Sequence, residues 1–390
     1  MSSVKSVSRR EFSKRALAAA LAPAMTGGSV RLGEGSAGNT RASGAAGRSD
    51  WPGYGAAMVL DFLASPGPFN TPIKFDQLSP ENLRNAAASG ITAVNLTVGG
   101  QNPEEVFRDI AKWERDLRAH RDVLTNIRSV ADLRAAKAAK KFGLIYGFQD
   151  TVSIGDDLSR VALYHAFGLR IIQLTYNVRN LVGDGCLQPE NGGLTAFGRE
   201  LVAELNAKRI IVDTGHTGIR STEDAIAASK GPIAISHSAC RAIADRPRSK
   251  PDATLRKLAE KGGVVGIYLM PFLTMGPAPT SDDLIKHIEH AVNVAGEDHV
   301  GIGSDLSTTP HVVNAEYMKI HGDFVAGRQA KGIAAPGEDP KVPMFVTDLN
   351  SPRRMELIAD KLLARKHTSA RVEKIMGGNF LRLCGEVWGG

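Results

Sequence analysis

Residues 209–216 read Arg209-Ile210-Ile211-Val212-Asp213-Thr214-Gly215-His216, and residues 233–237 repeat the theme as Ile233-Ala234-Ile235-Ser236-His237. Each run is apolar without alternation until polar residues end it. A strand with one wet face alternates, whereas a run apolar on both faces suits a parallel strand covered by helices. Similar β-branched runs lie at 57–63, 91–98, 143–148, 169–176, 263–269 and 299–303, with helical stretches between them. Eight such βα units predict an α/β fold, a (β/α)8 TIM-type barrel in a single domain. A doubly wound open sheet is the alternative, because no sequence period proves closure.

In a barrel the βα loops converge at the C-terminal strand ends, so chemistry collects there. Polar residues stand at those ends: Gln149 and Asp150 after the third run, Tyr176 and Asn177 after the fourth, His216 after the fifth, His237 after the sixth and Asp305 after the eighth. Taken singly, each has an ordinary reading. A strand-end His is commonly a hydrogen-bonded structural residue, and Gln149, Tyr176 or Asp305 can cap a loop. Several on one rim point instead to a site. The stretch 307–350, with Ala334-Ala335-Pro336-Gly337, reads as a long insertion, expected to be a lid or a partner contact. Met355, Ile358, Leu362 and Leu363 then give 351–366 the pattern of a helix with one buried face.

The chain has 390 residues, 43% hydrophobic and 23% charged, which excludes a disordered, collagen-like or coiled-coil protein. No apolar run reaches 18 residues, so no helical membrane span is expected. The net charge of +7 raises the question of nucleic acid, and its location answers it. Residues 1–50 hold eight Lys/Arg against three acids, a surplus of +5 that leaves only +2 on the other 340 residues. Gripping a phosphate backbone needs clustered cations on the folded body, so no nucleic-acid partner is expected.

The basic segment contains Ser8-Arg9-Arg10-Glu11-Phe12-Ser13-Lys14, which fits the S-R-R-x-F-x-K address read by the twin-arginine export machinery. A short apolar stretch, 16–22, follows it. The start of a basic amphipathic helix is the other reading. Residues 1–50 are expected to be an export signal and a flexible Gly/Ser/Ala-rich leader, and 51–390 the barrel domain, with a periplasmic or extracellular destination. Cys186, Cys240 and Cys384 are too widely spaced to suggest a disulfide framework or a metal knuckle. A homo-oligomer stays open.

The strand-end motifs resemble those of the membrane (renal) dipeptidase family of zinc metallopeptidases, over roughly residues 57–390 with gaps. The matching segments are Gln173-Leu174-Thr175-Tyr176-Asn177, Gly193-Leu194-Thr195 with Phe197-Gly198-Arg199-Glu200, Asp213-Thr214-Gly215-His216, Ile235-Ser236-His237-Ser238, Gly301-Ile302-Gly303-Ser304-Asp305 and Gly377-Gly378-Asn379-Phe380-Leu381-Arg382. The resemblance implies a barrel with a metal site that hydrolyses dipeptides. It puts His216 and His237 as ligands of one metal and Asp305 as a carboxylate of the other, close to the attacking water. It puts Arg248 on the substrate's terminal carboxylate, a task for a planar fork of donors. A solvated surface arginine in Arg246-Pro247-Arg248 is the other reading of that residue.

The sequence also departs from the family pattern. The family's first strand ends in a metal-binding His-x-Asp pair, where this chain has Leu63 and Ser65. Gln149 stands for the bridging glutamate, and Tyr176 for a histidine that polarises the substrate carbonyl. Two divalent ions beside the single carboxylate of Asp305 would leave most of their charge uncompensated in a poorly solvated rim. Strand alternation turns Asp150 away from Gln149 and sets Asp61 too deep to replace the missing ligands. The expectation is one ion at most, zinc or another divalent metal, on His216 and His237 with an oxygen of Asp305 or Gln149. Asp305 would take the water's proton, Tyr176 would donate to the oxyanion, and Arg248 would anchor a dipeptide-like small molecule. The competing expectation is a non-catalytic exported binding protein on the same barrel.

Overall fold

The apolar runs become strands because a parallel barrel lets each of them bury both faces. The computed structural model describes residues 51–276 and 278–389. The twin-arginine motif and the leader read in 1–50 lie outside the described residues. In chain order the strands are β1 (Leu60–Asp61), β2 (Ala64–Ser65), β3 (Ala93–Thr97), β4 (Leu124–Asn126), β5 (Phe142–Phe148), β6 (Leu169–Gln173), β7 (Ile211–Asp213), β8 (Ala234–Ser238), β9 (Val264–Ile267), β10 (Val300–Ile302) and β11 (Leu306–Ser307). Strands β1, β3, β5, β6, β7, β8, β9 and β10 pair in that order, and all these pairings are parallel. Asp61 of β1 then meets Ile302 of β10. That pairing closes a (β/α)8 barrel and excludes the open doubly wound sheet.

Smaller strands complete the wall. The first residues of β5 pair with β4, Leu124 against Phe142, while its end pairs with β6, Tyr146 against Leu169. Strands β2 and β11 continue past the ring as a parallel pair, Ala64 against Leu306 and Ser65 against Ser307. Between β10 and β11 the chain turns at Asp305, whose φ is 64° and whose N–H donates to Leu63 O at 2.7 Å. Left-handed backbone is uncommon outside glycine but open to Asp and Asn, so the turn itself aims this side chain.

Helices cover the ring, each for local reasons. In Pro103–Ala119, Asn102 caps the first turn by accepting from Glu105 N, Pro103 supplies the preset φ, and Val106, Ile110, Trp113 and Leu117 make one buried stripe. The last helix, Asn379–Trp388, closes one end of the barrel. Its Phe380, Leu383, Cys384 and Trp388 share a core with Ala93, Ile145, Ile171, Ile211, Ala234 and Val264, and Phe380 stacks on Phe62 at 3.6 Å between ring centres. A Cβ on Gly266 or Gly303 would lie 2.1 or 1.9 Å from Ser236 O, so only glycine there lets β8, β9 and β10 close up beneath His237.

Two sequence expectations need correction in extent. The fourth run ends as a strand at Gln173 rather than at 176, and beyond it the Gln173 amide nitrogen donates to Thr175 O. The long insertion read in 307–350 is not all loop, since it carries the helix Ala315–Ala330. The helix expected over 351–366 spans Arg354–Ala364, with Met355, Ile358 and Leu362 buried. No helix among the described residues is long and apolar enough to cross a membrane.

Candidate active site

A chain of hydrogen bonds fixes the state of His237. Asp213, at the end of β7, is fully buried, and its Oδ1 accepts from Gly215 N at 3.0 Å and from Ser236 N at 2.8 Å. The single hydroxyl proton of Ser236 goes to Asp213 Oδ2 at 2.5 Å, so Ser236 Oγ accepts from His237 Nδ1 at 2.7 Å. The Nε2 of His237 therefore carries a bare lone pair, and this buried atom has no hydrogen-bond partner. His216 is set in the same way. Asn177 donates its amide nitrogen to Ile333 O at 2.9 Å, which leaves Oδ1 to accept from His216 Nδ1 at 2.6 Å. The two rings sit 4.8 Å apart at 61°. Burial, then the charge of Arg248, pushes both imidazoles well below their usual range, so both are neutral. Two neutral imidazoles, each with its other nitrogen tied down, are the form in which histidine binds a metal.

Opposite them stands a polar cluster. Asp305 is buried, and Asn70 Nδ2 donates to its Oδ1 at 3.0 Å and to its backbone O at 2.6 Å. Burial raises its pKa to about 6, although Arg248, Asn70 and Arg328 pull the other way. Arg248 is 2% exposed, so the surface reading of this residue falls. Its Nη2 reaches His237 O at 3.5 Å, while Nε and Nη1 make no hydrogen bond. Tyr176 stacks on His216 at 4.0 Å and 23°, and its hydroxyl oxygen accepts from Arg328 Nη2 at 3.4 Å. Arg328 is held in turn by Glu338 at 2.7 and 2.9 Å. Asn70, Tyr176, His216, Arg248, Asp305 and Arg328 all line one cavity of about 20 Å³.

Not every expected residue joins them. Gln149 does not line that cavity, and its amide nitrogen donates to Thr97 Oγ1 at 2.7 Å on the neighbouring strand end. Leu63 is 1% exposed within the core, and Ser65 Oγ accepts from Gly67 N at 3.1 Å. Asp61 accepts from Ser304 N and Oγ and pairs with buried Arg354 at 3.5 Å. Asp150 accepts from Asn180 Nδ2 at 2.8 Å and from Thr151 N. Among the described residues no group of three or more His, Cys, Asp or Glu gathers closely enough to hold a metal ion. Sequence reasoning missed Asn70, Arg328 and Glu338, which come from loops and from a helix without apolar periodicity. Asn177 and Ser236 lay inside the quoted motifs, but nothing in the sequence named them as the residues that orient the histidines.

A closed parallel barrel with a polar rim at its strand ends defines the class of (β/α)8 proteins that carry their site there. Residues 79–321 match the profile of the membrane dipeptidases, peptidase family M19, and the chain belongs to that family of metallopeptidases. It is similar to the crystal structure of an amidohydrolase from Pseudomonas aeruginosa, at 30% identity and a TM-score of 0.74, over 86% of this chain and 98% of that one. It is 28% identical over 247 residues to dipeptidase tcpJ of Claviceps purpurea, 62% of this chain and 58% of that protein. With dipeptidase aclJ of Aspergillus oryzae it shares 30% identity over 214 residues, 53% and 51% of the two chains. The matched region thus spans about half the length of these curated relatives.

Proposed function

We propose that the chain hydrolyses a dipeptide or a related small amide with the help of one divalent ion at most, zinc or another. The observation that carries this reading is the pair of neutral imidazoles, His237 with a buried and unpartnered Nε2, beside Arg248, whose Nε and Nη1 are unpartnered. The donor set fits one ion, because a dry core does not keep a lone pair such as that of His237 Nε2 without a ligand. It does not fit two, since Leu63 has no donor atom, Ser65 is no carboxylate, and Gln149 brings no charge and does not line the cavity. His216 and His237 would hold the ion, and once bound it would polarise the scissile carbonyl and acidify a water.

The chain's own groups supply the rest. Arg248 binds the substrate carboxylate through its free guanidinium edge. Asp305, ionised above about pH 6, takes the water's proton and delivers it to the leaving amine. Tyr176 accepts from Arg328 and so has its own proton free to donate to the developing oxyanion. The dipeptidase relatives support the substrate class. For the whole chain we infer export by the twin-arginine route, with 1–50 as signal and leader and 51–390 as the delivered barrel.

The test is metal analysis of protein purified without chelator, with dipeptide hydrolysis followed before stripping, after it and after metal return. The expected result is no more than one ion per chain, lost in the H216A/H237A double variant, with activity that follows the ion. Two ions at full occupancy, or no hydrolysis by the metal-loaded protein, overturn this reading.

A further inference from the structure

The cavity holding Arg248 and Asp305 has room for about one water. Sites that take small organic molecules usually offer roughly 300 Å³ or more. Beside it lies a groove of about 330 Å³, walled by the segment 68–73, the residues that follow β11 and the helix Ala315–Ala330. Asn70, Phe324 and Met344 line both spaces, so the two adjoin across these three residues.

Their chemistry differs sharply. The cavity carries Arg248 and Arg328, whereas the groove lining includes no Lys or Arg, and its one acid is Glu316. Phe69, Ile73, Leu306, Val312, Ile320 and Phe324 make the groove apolar. Ile73 and Val312 leave 54% and 77% of their surface in water on its rim, a cost that a site tolerates when a ligand covers it.

We propose that this groove is the subsite for a large apolar side chain on the amino-terminal residue of the substrate. The proposal rests on the hydrolase reading and narrows it to dipeptides that carry a Leu- or Phe-like first residue. Arg248 lines the cavity and not the groove, so a ligand with its carboxylate on Arg248 reaches the groove past Asn70, Phe324 and Met344. Beyond those three residues it meets apolar walls with no cation to hold a second anion. The substrate is thus anionic at one end and apolar at the other.

The experiment compares kcat/KM for Gly-Ala, Leu-Ala and Phe-Ala on the metal-loaded protein and its I73D and V312D variants. Both substitutions sit on an exposed rim, so the fold is expected to survive them. Leu-Ala and Phe-Ala should exceed Gly-Ala by roughly tenfold or more. The variants should remove most of that preference through KM while leaving Gly-Ala unchanged. Equal rates for all three substrates, unmoved by either variant, overturn the subsite and leave the hydrolase reading intact. Binding of phosphinate mimics of Gly-Ala and Phe-Ala, measured by calorimetry, reads the subsite without turnover. A tenfold preference for the Phe form supports it even if no dipeptide is cleaved, and equal affinity refutes it.

Discussion

At Asp305 two demands conflict. The residue is buried and its pKa is raised to about 6, first by burial, yet a general base has to be ionised. In the metal-free protein the folded state holds the Asp305 proton more tightly than the unfolded chain, whose aspartates titrate near ~4. The stability this contributes is complete below the unfolded value and is lost as pH rises from ~4 to about 6, so at neutral pH the ionised carboxylate weakens the fold. Asp305→Asn removes that charge, keeps an oxygen for Asn70 and tolerates the left-handed backbone. It should abolish hydrolysis while stabilising the metal-free protein at pH 7 by about 2 kcal/mol and flattening the pH dependence of thermal unfolding. A variant no more stable than the parent at pH 7 would refute the assignment. The strand-end position of His216, His237, Tyr176 and Asp305 was legible from residue order alone. The orientation of Gln149 was not, because the Thr97 hydroxyl that captures it belongs to a strand distant in sequence.

The element that decides access is the helix Ala315–Ala330 with the loop that follows it. No helical period was legible there because the apolar residues are spread around the axis, with only His321 and Val325 buried. Strands β2, β4 and β11 escaped for a different reason: two or three residues are too few to carry a period. The ring strands were readable because each buries both faces. Two bonds tie the insertion over the site, Arg328 to Tyr176 and Asn177 to Ile333, and Glu338, inside the insertion, holds Arg328 in place for the first of them. A cavity with room for about one water admits a dipeptide only if these ties yield. Glu338→Ala leaves the Arg328 cation largely buried and unpaired, a loss worth ~3–5 kcal/mol in a rigid core. Here the segment can relax by opening instead. Hydrogen exchange should therefore quicken across 315–346 with the barrel strands unchanged, and KM should rise several-fold. Unaltered exchange in that segment would show that the ion pair does not hold it down.

For the molecule as a whole, closure joins the two ends of the barrel domain. Asp61 pairs with Ile302 to close the ring, and Phe62 stacks on Phe380 of the last helix, so the first strand meets the last parts of the chain. Contacts this far apart in sequence slow folding, because the loop between them must close before they form. An export route that carries folded proteins suits such a chain, and it would also allow the histidine pair to take its ion before departure. Of the net +7, +5 falls in the first 50 residues of the sequence. If Arg9 and Arg10 are the address, replacing both by Lys keeps the charge and removes the recognised pair of guanidinium groups. R9K/R10K should accumulate inside the cell at full length with normal thermal stability and metal content, while the parent appears outside the inner membrane with part of 1–50 removed. Cell fractionation with mass measurement of both pools checks this. Unchanged export of the double variant would refute the signal, and the charge in 1–50 would then need another explanation.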